Sequence, residues 1–470
     1  MNRAVLERPG ALWLHSGSAV SGSSPVSYLA AEPALWIRGR AARLEILPGP
    51  LGDRGWLARA RAVDPGPDDC SAWDRLATIA RRLWPRHGGP RPVGGGDLAF
   101  RGGLAGFFAY ELGRSFESVP ARLRPRPADV PWDFVLGLYD EVLSVHGLTG
   151  ERRVVRLPGS ARRLFAQDPI LPSAPPAVAG CEGEPAAEIT EAEHADSVAR
   201  IRAHIVDGSI YQANLTLRFR APSTHPDAPL ATFLRLQRDN PAPYAAYLDL
   251  PGVVLVSTSP ECFLALTPEG RARSRPIKGT AARGDDAADD AARRAALLAS
   301  PKDRAELTMI VDLVRNDLGR NCVLGTVSRR PEIVAEGHPT VWHLVADVEG
   351  QLRPDRDAFD LLRDCFPPGS CIGAPKIRAM TVIEELERSR RGPYTGAIGW
   401  IGADGGLCAS VAIRTIVFRE GEASYGVGGG IVHDSDPARE WAEALLKGRA
   451  LASALRPTSV PLTSARLARN

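Results

Sequence analysis

The chain has 470 residues, of which 44% are hydrophobic and 24% are charged, and this composition excludes an intrinsically disordered polyelectrolyte. Its 58 basic and 55 acidic residues leave a formal net charge of +3 and are interspersed along the chain, so nucleic acid is not an expected partner. No apolar stretch is long enough to cross a membrane or to form a signal peptide, so we expect a cytoplasmic protein without a membrane partner.

Composition also limits the kinds of metal and nucleophilic site. The seven cysteines are odd in number and have no CxxC spacing, which argues against a disulfide framework or a thiolate zinc site. The only lysines are Lys278, Lys302, Lys376 and Lys447, and every other basic residue is arginine. Arginine stays protonated in proteins, whereas a buried lysine amine can lose its proton and act as a nucleophile. Chance survival of four surface lysines is the alternative.

The sequence patterns divide the chain into four segments. Residues 1–155 carry short apolar runs broken by glycine and proline, which predict an N-terminal β-rich lobe. Residues 156–189 are rich in proline and alanine and predict a linker. Residues 190–456 mix helix and strand signals without strict βαβ alternation, which favours an α+β fold with antiparallel sheets. Residues 457–470 are predicted to form a flexible tail.

The third segment has the clearest element signals. Its periodicity predicts helices over 191–207 and 230–239, and strands over 215–219, 245–250 and 253–257. Glycine-rich stretches follow towards the C-terminus, but their spacing matches neither a P-loop nor a dinucleotide fingerprint. Those glycines therefore need another explanation.

Two further predicted helices carry matching acidic faces. The first begins at residues 300–301, where serine is a preferred cap and proline a preferred first residue, and the second begins at residues 435–437. The side chains that share a face are Asp303 and Glu306 on the first helix, and Glu440, Glu443 and Lys447 on the second.

Spacing alone leaves two interpretations of these faces open. Converging carboxylates without histidine or cysteine suit a hard cation, and Mg²⁺ fits a site that takes a further ligand from a substrate. The ordinary alternative is a capping box that Asp303 completes and a favourable i, i+4 ion pair between Glu443 and Lys447. On spacing alone the ordinary alternative is favoured.

Seven short motifs in one order carry a family resemblance. They are IYQANL at 210–215, SPE at 259–261, RPIKGT at 275–280, DLVRNDLGR at 312–320, GAPK at 373–376, AIRT at 412–415 and GGGIV at 428–432. With these motifs the chain resembles the chorismate-utilising enzymes, and within them the aminodeoxychorismate synthase component I branch. The resemblance covers residues 190–455 strongly and the N-terminal part more weakly.

The resemblance implies an α+β, two-lobed anthranilate-synthase-like fold, in which antiparallel β-sheets form a sandwich core with helices outside. It also implies a Mg²⁺ site built from Glu306 and Glu440 most directly, with Asp303 and Glu443 beside them. The ion would grip the ring carboxylate of chorismate and help the hydroxyl at carbon 4 to leave. For these acids the resemblance overrides the ordinary interpretation.

The resemblance further assigns residues to chorismate itself. Tyr394, Arg414 and the backbone amides of Gly428, Gly429 and Gly430 match positions around the enolpyruvyl carboxylate, where glycine lets the backbone approach an anion closely. The remaining implied substrate-binding residues are Gln212, Thr280, Ser370 and Lys447.

Two positions imply which reaction is catalysed. Relatives that add water to chorismate carry a lysine base where this chain has Gln212, and glutamine cannot act as that base. Anthranilate synthases usually read PIAGT where this chain reads PIKGT, with Lys278. The implied product is 4-amino-4-deoxychorismate, which serves 4-aminobenzoate and folate biosynthesis.

The implied mechanism uses a covalent lysine adduct. The Lys278 amine attacks ring carbon 2 while hydroxide leaves carbon 4, and Glu261 is the acid that protonates it. Ammonia then attacks carbon 4 and expels the lysine. His343 matches a family histidine near the reacting ring and is assigned an orienting or proton-transfer role, a core histidine being the alternative.

The resemblance implies ligands beyond chorismate. The chain has no Cys-His glutaminase signature, so a separate glutamine amidotransferase subunit should supply the ammonia. Relatives can also hold tryptophan in the N-terminal lobe, where residues 23–26 depart from the family's more aromatic and basic pattern, which counts against retained binding. The positions that match this pocket are Ser16, Ser23, Ser24, Pro25, Val26, Pro243, Tyr244 and Ala245.

Two rival functions stay open. Anthranilate synthase component I is the nearest enzyme, and Lys278 is the feature against it. A catalytically silent relative that only binds an amidotransferase is the rival from another class. The full set of acids, together with Arg414 and Lys278, argues against a silent relative.

Overall fold

Two large antiparallel β-sheets stack face to face at the centre of the computed structural model, with helices on both outer faces. The structure describes residues 5–15, 26–52, 54–67, 70–85, 98–117, 119, 130–166, 180–328, 332–338 and 341–457. The α-helices of this part are α1 Arg54–Val63, α2 Ala72–Leu83, α3 Gly113–Phe116, α4 Glu191–Val206, α5 Ala228–Asp239, α6 Ala287–Ala299, α7 Pro301–Gly319, α8 Ala358–Cys365, α9 Lys376–Leu386 and α10 Pro437–Leu455. Short 3₁₀ helices cover Val5–Glu7, Tyr110–Leu112 and Gly369–Cys371.

The strands of the described part follow in chain order. They are β1 Leu12–His15, β2 Val26–Ala30, β3 Leu35–Arg40, β4 Arg43–Pro48, β5 Gly103–Phe108, β6 Phe134–Tyr139, β7 Glu141–His146, β8 Arg152–Arg156, β9 Ala186–Ala187, β10 Gln212–Pro222, β11 Tyr244–Leu250, β12 Val253–Ser259, β13 Cys262–Leu266, β14 Arg271–Arg275, β15 Ile277–Ala282, β16 Ile333–Gly337, β17 Val341–Ala346, β18 Val348–Gln351, β19 Gly373–Ala374, β20 Ala397–Gly402, β21 Leu407–Val411, β22 Thr415–Arg419 and β23 Glu422–Ile431.

The strands form three sheets. The first sheet has the order β19-β10-β23-β22-β12-β11-β1-β2-β7-β8, with β9 also paired to β10. The second sheet has the order β18-β14-β13-β21-β20-β5-β6-β3-β4, and a small third sheet has the order β15-β17-β16. The small sheet carries Lys278, Thr280 and His343.

The buried clusters define the layers. Leu248 and Leu255 of the first sheet and Phe107 and Ile398 of the second belong to one cluster between the sheets. A second cluster joins the outer face of the second sheet to α2, α7 and α8, and a third joins the outer face of the first sheet to α5 and α10. This arrangement confirms the predicted α+β fold with a sandwich core and helices outside.

Both large sheets cross the predicted boundary at residue 155. β1 pairs with β11 in the first sheet and β5 pairs with β20 in the second. The N-terminal segment is therefore not a separate layer, because its strands hydrogen-bond to strands of the C-terminal segment. Most of the predicted linker and nearly all of the predicted tail lie outside the described residues or have no regular structure, apart from β9.

The predicted elements of the third segment are present with adjusted ends. α4 begins at Glu191 because Thr190 and Glu193 form a reciprocal capping box. The strand predicted over 215–219 extends over 212–222, since it pairs with β23 from Ala213 to Pro222 and with β19 at Gln212. Helices α1 and α2 lie within the predicted N-terminal β-rich segment and were not predicted. The start of α2 did have a sequence signal, because Ser71 is a preferred cap residue and its hydroxyl accepts from the Asp74 N–H.

No described helix has the length and apolarity needed to cross a membrane.

Candidate active site

The small sheet places Lys278 beside the turn at residues 369–371. The Lys278 Nζ donates a hydrogen bond to the Ser370 carbonyl oxygen at 3.1 Å. The register of β15 on β17 shifts between Lys278 and Thr280, and Gly279 between them has a φ of +72°. A β-bulge of this kind re-aims a side chain. A Cβ atom on Gly279 would also approach the Asp303 Cβ to 2.9 Å, so glycine allows the start of α7 to pack closely on this bulge.

Glu261 lies buried between β12 and β13, where the Ser370 side chain hydrogen-bonds its carboxyl group. Burial raises the pKa of Glu261 to about 7, while the Ser370 side chain, the Lys278 ammonium and the Ile277 N–H act in the opposite direction. A carboxyl group with this pKa is partly protonated at neutral pH. Glu261 can therefore donate a proton to a leaving group.

His343 faces Thr280 across the small sheet. The Thr280 Oγ1 and the His343 Nδ1 are 2.9 Å apart, at directly paired positions of β15 and β17. Burial, followed by the charges of Arg414 and His338, lowers the pKa of His343 to about 3. His343 is therefore neutral at physiological pH, which suits an orienting hydrogen bond better than a cationic role.

Glu306 on α7 lies in reach of the charges of both predicted acidic faces. Burial raises its pKa, Asp303 and Glu443 raise it further, and Lys278 and Lys302 oppose them. The exposed Lys302 lies beside it, with its Nζ 4.0 Å from the Glu306 carboxylate. This buried carboxylate thus lies near two other carboxylates and two lysines.

The acids of α10 face the same space. Glu440 accepts a hydrogen bond from the Ser435 hydroxyl at 2.7 Å, and its Oε2 would be 3.1 Å from a Cβ on Gly429. Glu443 forms the predicted i, i+4 ion pair with Lys447 at 2.8 Å. Burial alone would raise the pKa of Glu443, but Lys447, Lys302 and Lys278 bring it below its ordinary value.

The predicted metal ligands are all carboxylates, which is the ligand chemistry that a hard cation prefers. The predicted ligands are four carboxylates on two helix starts. Burial is the main cause of the raised pKa of Glu306, with Asp303 and Glu443 adding to it, and a divalent cation beside this carboxylate would favour its ionised form. In this part of the chain lysines provide the compensating charge, and no group of three or more His, Cys, Asp or Glu side chains among the described residues is assembled as a metal site.

The glycine run on β23 packs against β10. A Cβ on Gly430 would lie 2.0 Å from the Gln212 Nε2, so a larger residue there would require the Gln212 side chain to move. Gln212 is fully buried, and neither of its amide atoms has a hydrogen-bond partner among the described residues. The Lys447 Nζ donates to the Gly428 carbonyl at 2.8 Å, which joins α10 to this run.

Arg414 and Tyr394 are the other two residues predicted for the anion site. Arg414 follows β21 with a φ of +49°, and its guanidinium has no hydrogen bond or ion pair with a described residue. Its charge acts on His343, so it lies near the small sheet. Tyr394 is buried, with its ring against the backbone of Gly426. Arg414 is thus a cation available to a ligand carboxylate.

Only part of the predicted tryptophan pocket can be placed. Ser16, Ser23, Ser24 and Pro25 lie outside the described residues. Val26 begins β2, and Tyr244 and Ala245 begin β11 directly after Pro243. β1 lies between these two strands in the first sheet, so the fold brings Val26 and Ala245 within one strand of each other.

Two buried ion pairs lie near the site. Lys376 pairs with Asp317 at 2.6 Å, whereas Lys302 is a surface residue with 71% of its side chain exposed. The pair between Glu387 and Arg391 was not predicted, and its i, i+4 spacing is the only sequence signal for it.

The model of the family described as chorismate binding enzyme matches residues 64–453. Aminodeoxychorismate synthase component 1 of Klebsiella aerogenes is 37% identical over 446 residues, which cover 94% of this chain and 92% of that protein. Anthranilate synthase component 1 of Streptomyces coelicolor is 40% identical over 428 residues, with 86% and 82% covered. The crystal structure of anthranilate synthase component I from Streptococcus pneumoniae TIGR4 matches with a TM-score of 0.73 and 26% identity, covering 93% of each chain. The chain therefore belongs to the family of chorismate binding enzymes.

Proposed function

We propose that this chain is aminodeoxychorismate synthase component I, which converts chorismate and ammonia to 4-amino-4-deoxychorismate and water. The placement of Lys278 is the single observation that carries the proposal. Its Nζ is held at 3.1 Å from the Ser370 carbonyl, and its charge acts on Glu261, Glu306 and Glu443. A lysine amine between a proton donor and a set of carboxylates is suited to nucleophilic attack on a bound ring.

The proposed reaction has two displacements. The Lys278 nitrogen bonds to ring carbon 2 while the bond between carbon 4 and its hydroxyl breaks, and Glu261 donates a proton so that water leaves. Ammonia then bonds to carbon 4 as the lysine nitrogen leaves carbon 2 as the free amine and the ring double bond moves back. The Glu261 carboxylate takes up the proton that the new ammonium group at carbon 4 releases, which restores the acid. The pKa of about 7 that burial gives Glu261 supports its role as the acid.

The chain's own residues would hold the two carboxylates of chorismate. The unpaired Arg414 guanidinium, with Tyr394 and the Gly428–Gly430 backbone, would bind the enolpyruvyl carboxylate. Glu306 and Glu440, with Asp303 and Glu443 beside them, would hold Mg²⁺. When bound, the ion supplies charge stabilisation at the ring carboxylate. The neutral His343 and Thr280 would orient this side of the ring.

The ammonia would come from a partner. Two relatives carry the designation component 1 in their names, which supports a second component, and we propose that it is a glutamine amidotransferase.

Anthranilate synthesis is the second candidate function. A specific observation favours it, since the Streptomyces coelicolor protein of that name is 40% identical to this chain. In that reaction ammonia would add at carbon 2, the carbon that Lys278 is proposed to occupy. The two functions therefore differ in their product and not in their substrates.

The test is a product assay with the purified chain, chorismate, Mg²⁺ and excess ammonium, which replaces the amidotransferase. Products are separated before and after addition of an aminodeoxychorismate lyase. A 4-aminobenzoate peak that depends on the lyase is the expected result. Fluorescent anthranilate formed without lyase would overturn the proposed product, and no turnover, with or without the amidotransferase, would favour a silent binding partner.

A further inference from the structure

The ion pair of Glu387 and Arg391 is the most enclosed one near the candidate site. The Arg391 side chain is 1% exposed and that of Glu387 is 5% exposed. The pair is bidentate, with Arg391 Nε at 2.9 Å from Glu387 Oε2 and Arg391 Nη2 at 2.6 Å from Oε1. The Arg391 guanidinium also lies over the Tyr110 ring, 4.7 Å from its centroid.

The remaining donors of Arg391 reach three different chain segments. Nη2 donates to the Asn214 carbonyl at 2.7 Å, and Nη1 donates to the Cys371 carbonyl at 2.9 Å and to the Thr395 hydroxyl at 3.2 Å. The carboxylate of Glu387 accepts from the Thr216 N–H at 3.1 Å. One buried pair therefore saturates backbone groups that would otherwise be unpaired inside the protein.

The pair substitutes for a missing strand at the edge of β10. β19 pairs with β10 at Gln212 and Ala213, and β9 pairs with it at Phe219 and Arg220. Between these two strands the Asn214 carbonyl accepts from Arg391 and the Thr216 N–H donates to Glu387, while the Asn214 N–H donates to the Ile372 carbonyl. The pair thus continues the hydrogen bonding of the sheet edge with side chains.

Each segment that Arg391 holds adjoins a residue of the proposed site. Cys371 follows Ser370, whose carbonyl accepts from Lys278 and whose side chain acts on Glu261. Thr395 follows Tyr394, and Asn214 lies two residues after Gln212 on β10. The main chain of Arg391 is itself held, because the Glu111 carboxylate accepts its N–H at 2.9 Å.

We infer that Arg391, held by Glu387, is a positioning residue that sets the relative places of Lys278, Tyr394 and Gln212. The inference rests on the proposed function for the roles of those residues, and Arg391 itself touches no substrate. The planar Arg391 guanidinium has five N–H donors, so it can bond to a carboxylate and to three other oxygens at the same time. A lysine ammonium carries its three donors on one nitrogen atom and cannot reach all of these acceptors.

The experiment compares Arg391→Lys with Arg75→Lys. Arg75 on α2 forms a partly buried bidentate pair with Asp64, at 3.0 and 2.6 Å, so it matches the chemistry of the pair without contacting the segments of the site. Circular dichroism melts identify a temperature at which all variants are folded. At that temperature chorismate turnover with ammonium and equilibrium chorismate binding are measured for each variant.

We expect Arg391→Lys to lower kcat at saturating chorismate by about tenfold or more, because small displacements of reacting groups are costly, while Arg75→Lys stays within about twofold of wild type. Chorismate binding should weaken in the same variant. If Arg391→Lys does not fold, Glu387→Gln replaces it in the experiment, because glutamine keeps the shape of the side chain and one acceptor oxygen. Glu387→Gln should then show smaller losses of kcat and of chorismate binding, again relative to Arg75→Lys. Wild-type kcat and binding in the folded Arg391 or Glu387 variant, or an equal loss in Arg75→Lys, would overturn the inference.

Failure of the proposed function is a separate outcome. Anthranilate as the wild-type product would overturn the proposed reaction, while a loss of turnover confined to Arg391→Lys would still support the positioning role. If wild type shows no turnover, weaker chorismate binding by Arg391→Lys but not by Arg75→Lys supports the role, and equal binding by all three proteins overturns it.

Discussion

The two walls of the candidate site differ in how their charges are compensated. The inner wall, formed by Glu261, Lys278, the 369–371 turn, Glu387 and Arg391, consists mainly of groups bonded to backbone and to one another. The outer wall, formed by the acids of α7 and α10, is partly exposed and is compensated by flexible lysines. The Glu443 and Lys447 side chains, for example, are 54% and 44% exposed.

This difference gives the two walls different tasks: the inner wall positions the reacting groups, and the outer wall binds a cation. Buried groups with fixed partners lose little entropy when a substrate arrives, so the inner wall is suited to the covalent steps. Exposed ion pairs are weak and exchange partners readily, so the outer wall can give up its lysines to a cation. Substitutions on the two walls should therefore fail in different ways.

The largest effect is expected at Lys278. Lys278→Ala removes the proposed nucleophile and should lower kcat/KM for 4-amino-4-deoxychorismate formation by about a thousandfold. Mass spectrometry of acid-quenched enzyme should show a chorismate-derived adduct on wild type and none on the variant. Lys302→Ala is the control, because this exposed lysine lies on α7 outside the inner wall. An unchanged rate and product in Lys278→Ala would exclude the covalent step.

A smaller effect is expected at Glu261. Because burial raises its pKa to about 7, the acid form is present below that pH and is lost as the pH rises through it. Wild-type kcat should therefore fall on the alkaline side. Glu261→Gln should lower kcat by about a hundredfold and remove that limb of the pH profile. Glu349→Gln is the control, because Glu349 is an exposed residue on β18, and its pH profile of kcat should keep the alkaline fall that wild type shows. If Glu261→Gln also keeps this alkaline fall, the fall belongs to another group.

The smallest effect is expected on the outer wall. Glu306→Gln should raise the Mg²⁺ concentration for half-maximal activity by about tenfold and change kcat at saturating Mg²⁺ much less. Asp312→Asn is the matched control, because Asp312 lies on the same helix with 64% of its side chain exposed. A Mg²⁺ titration that is the same for Glu306→Gln and wild type would remove Glu306 from the ligand set. If Glu306→Gln at saturating Mg²⁺ lost as much kcat as Glu261→Gln, the two walls would not have the different roles proposed here.

Local signals determined much of the fold and of the outer wall. The caps at residues 300 and 436 begin α7 and α10, and helical spacing places Asp303 with Glu306 and Glu440 with Glu443 on shared faces. The mixed element pattern indicated an α+β fold, and the ordered motifs indicated the family. These features depend on residues close together in sequence, so they can be predicted without information on long-range contacts.

Only the tertiary structure decided how the inner wall is assembled and how the N-terminal segment joins it. Arg391 bonds to the Asn214 and Cys371 carbonyls, and the Glu111 carboxylate holds its main chain, across separations in sequence that local periodicity cannot reveal. The raised pKa of Glu261 and the lowered pKa of His343 likewise come from burial. Burial and charge proximity are properties of the packed chain, because sheets that pair strands from both ends of the sequence create them.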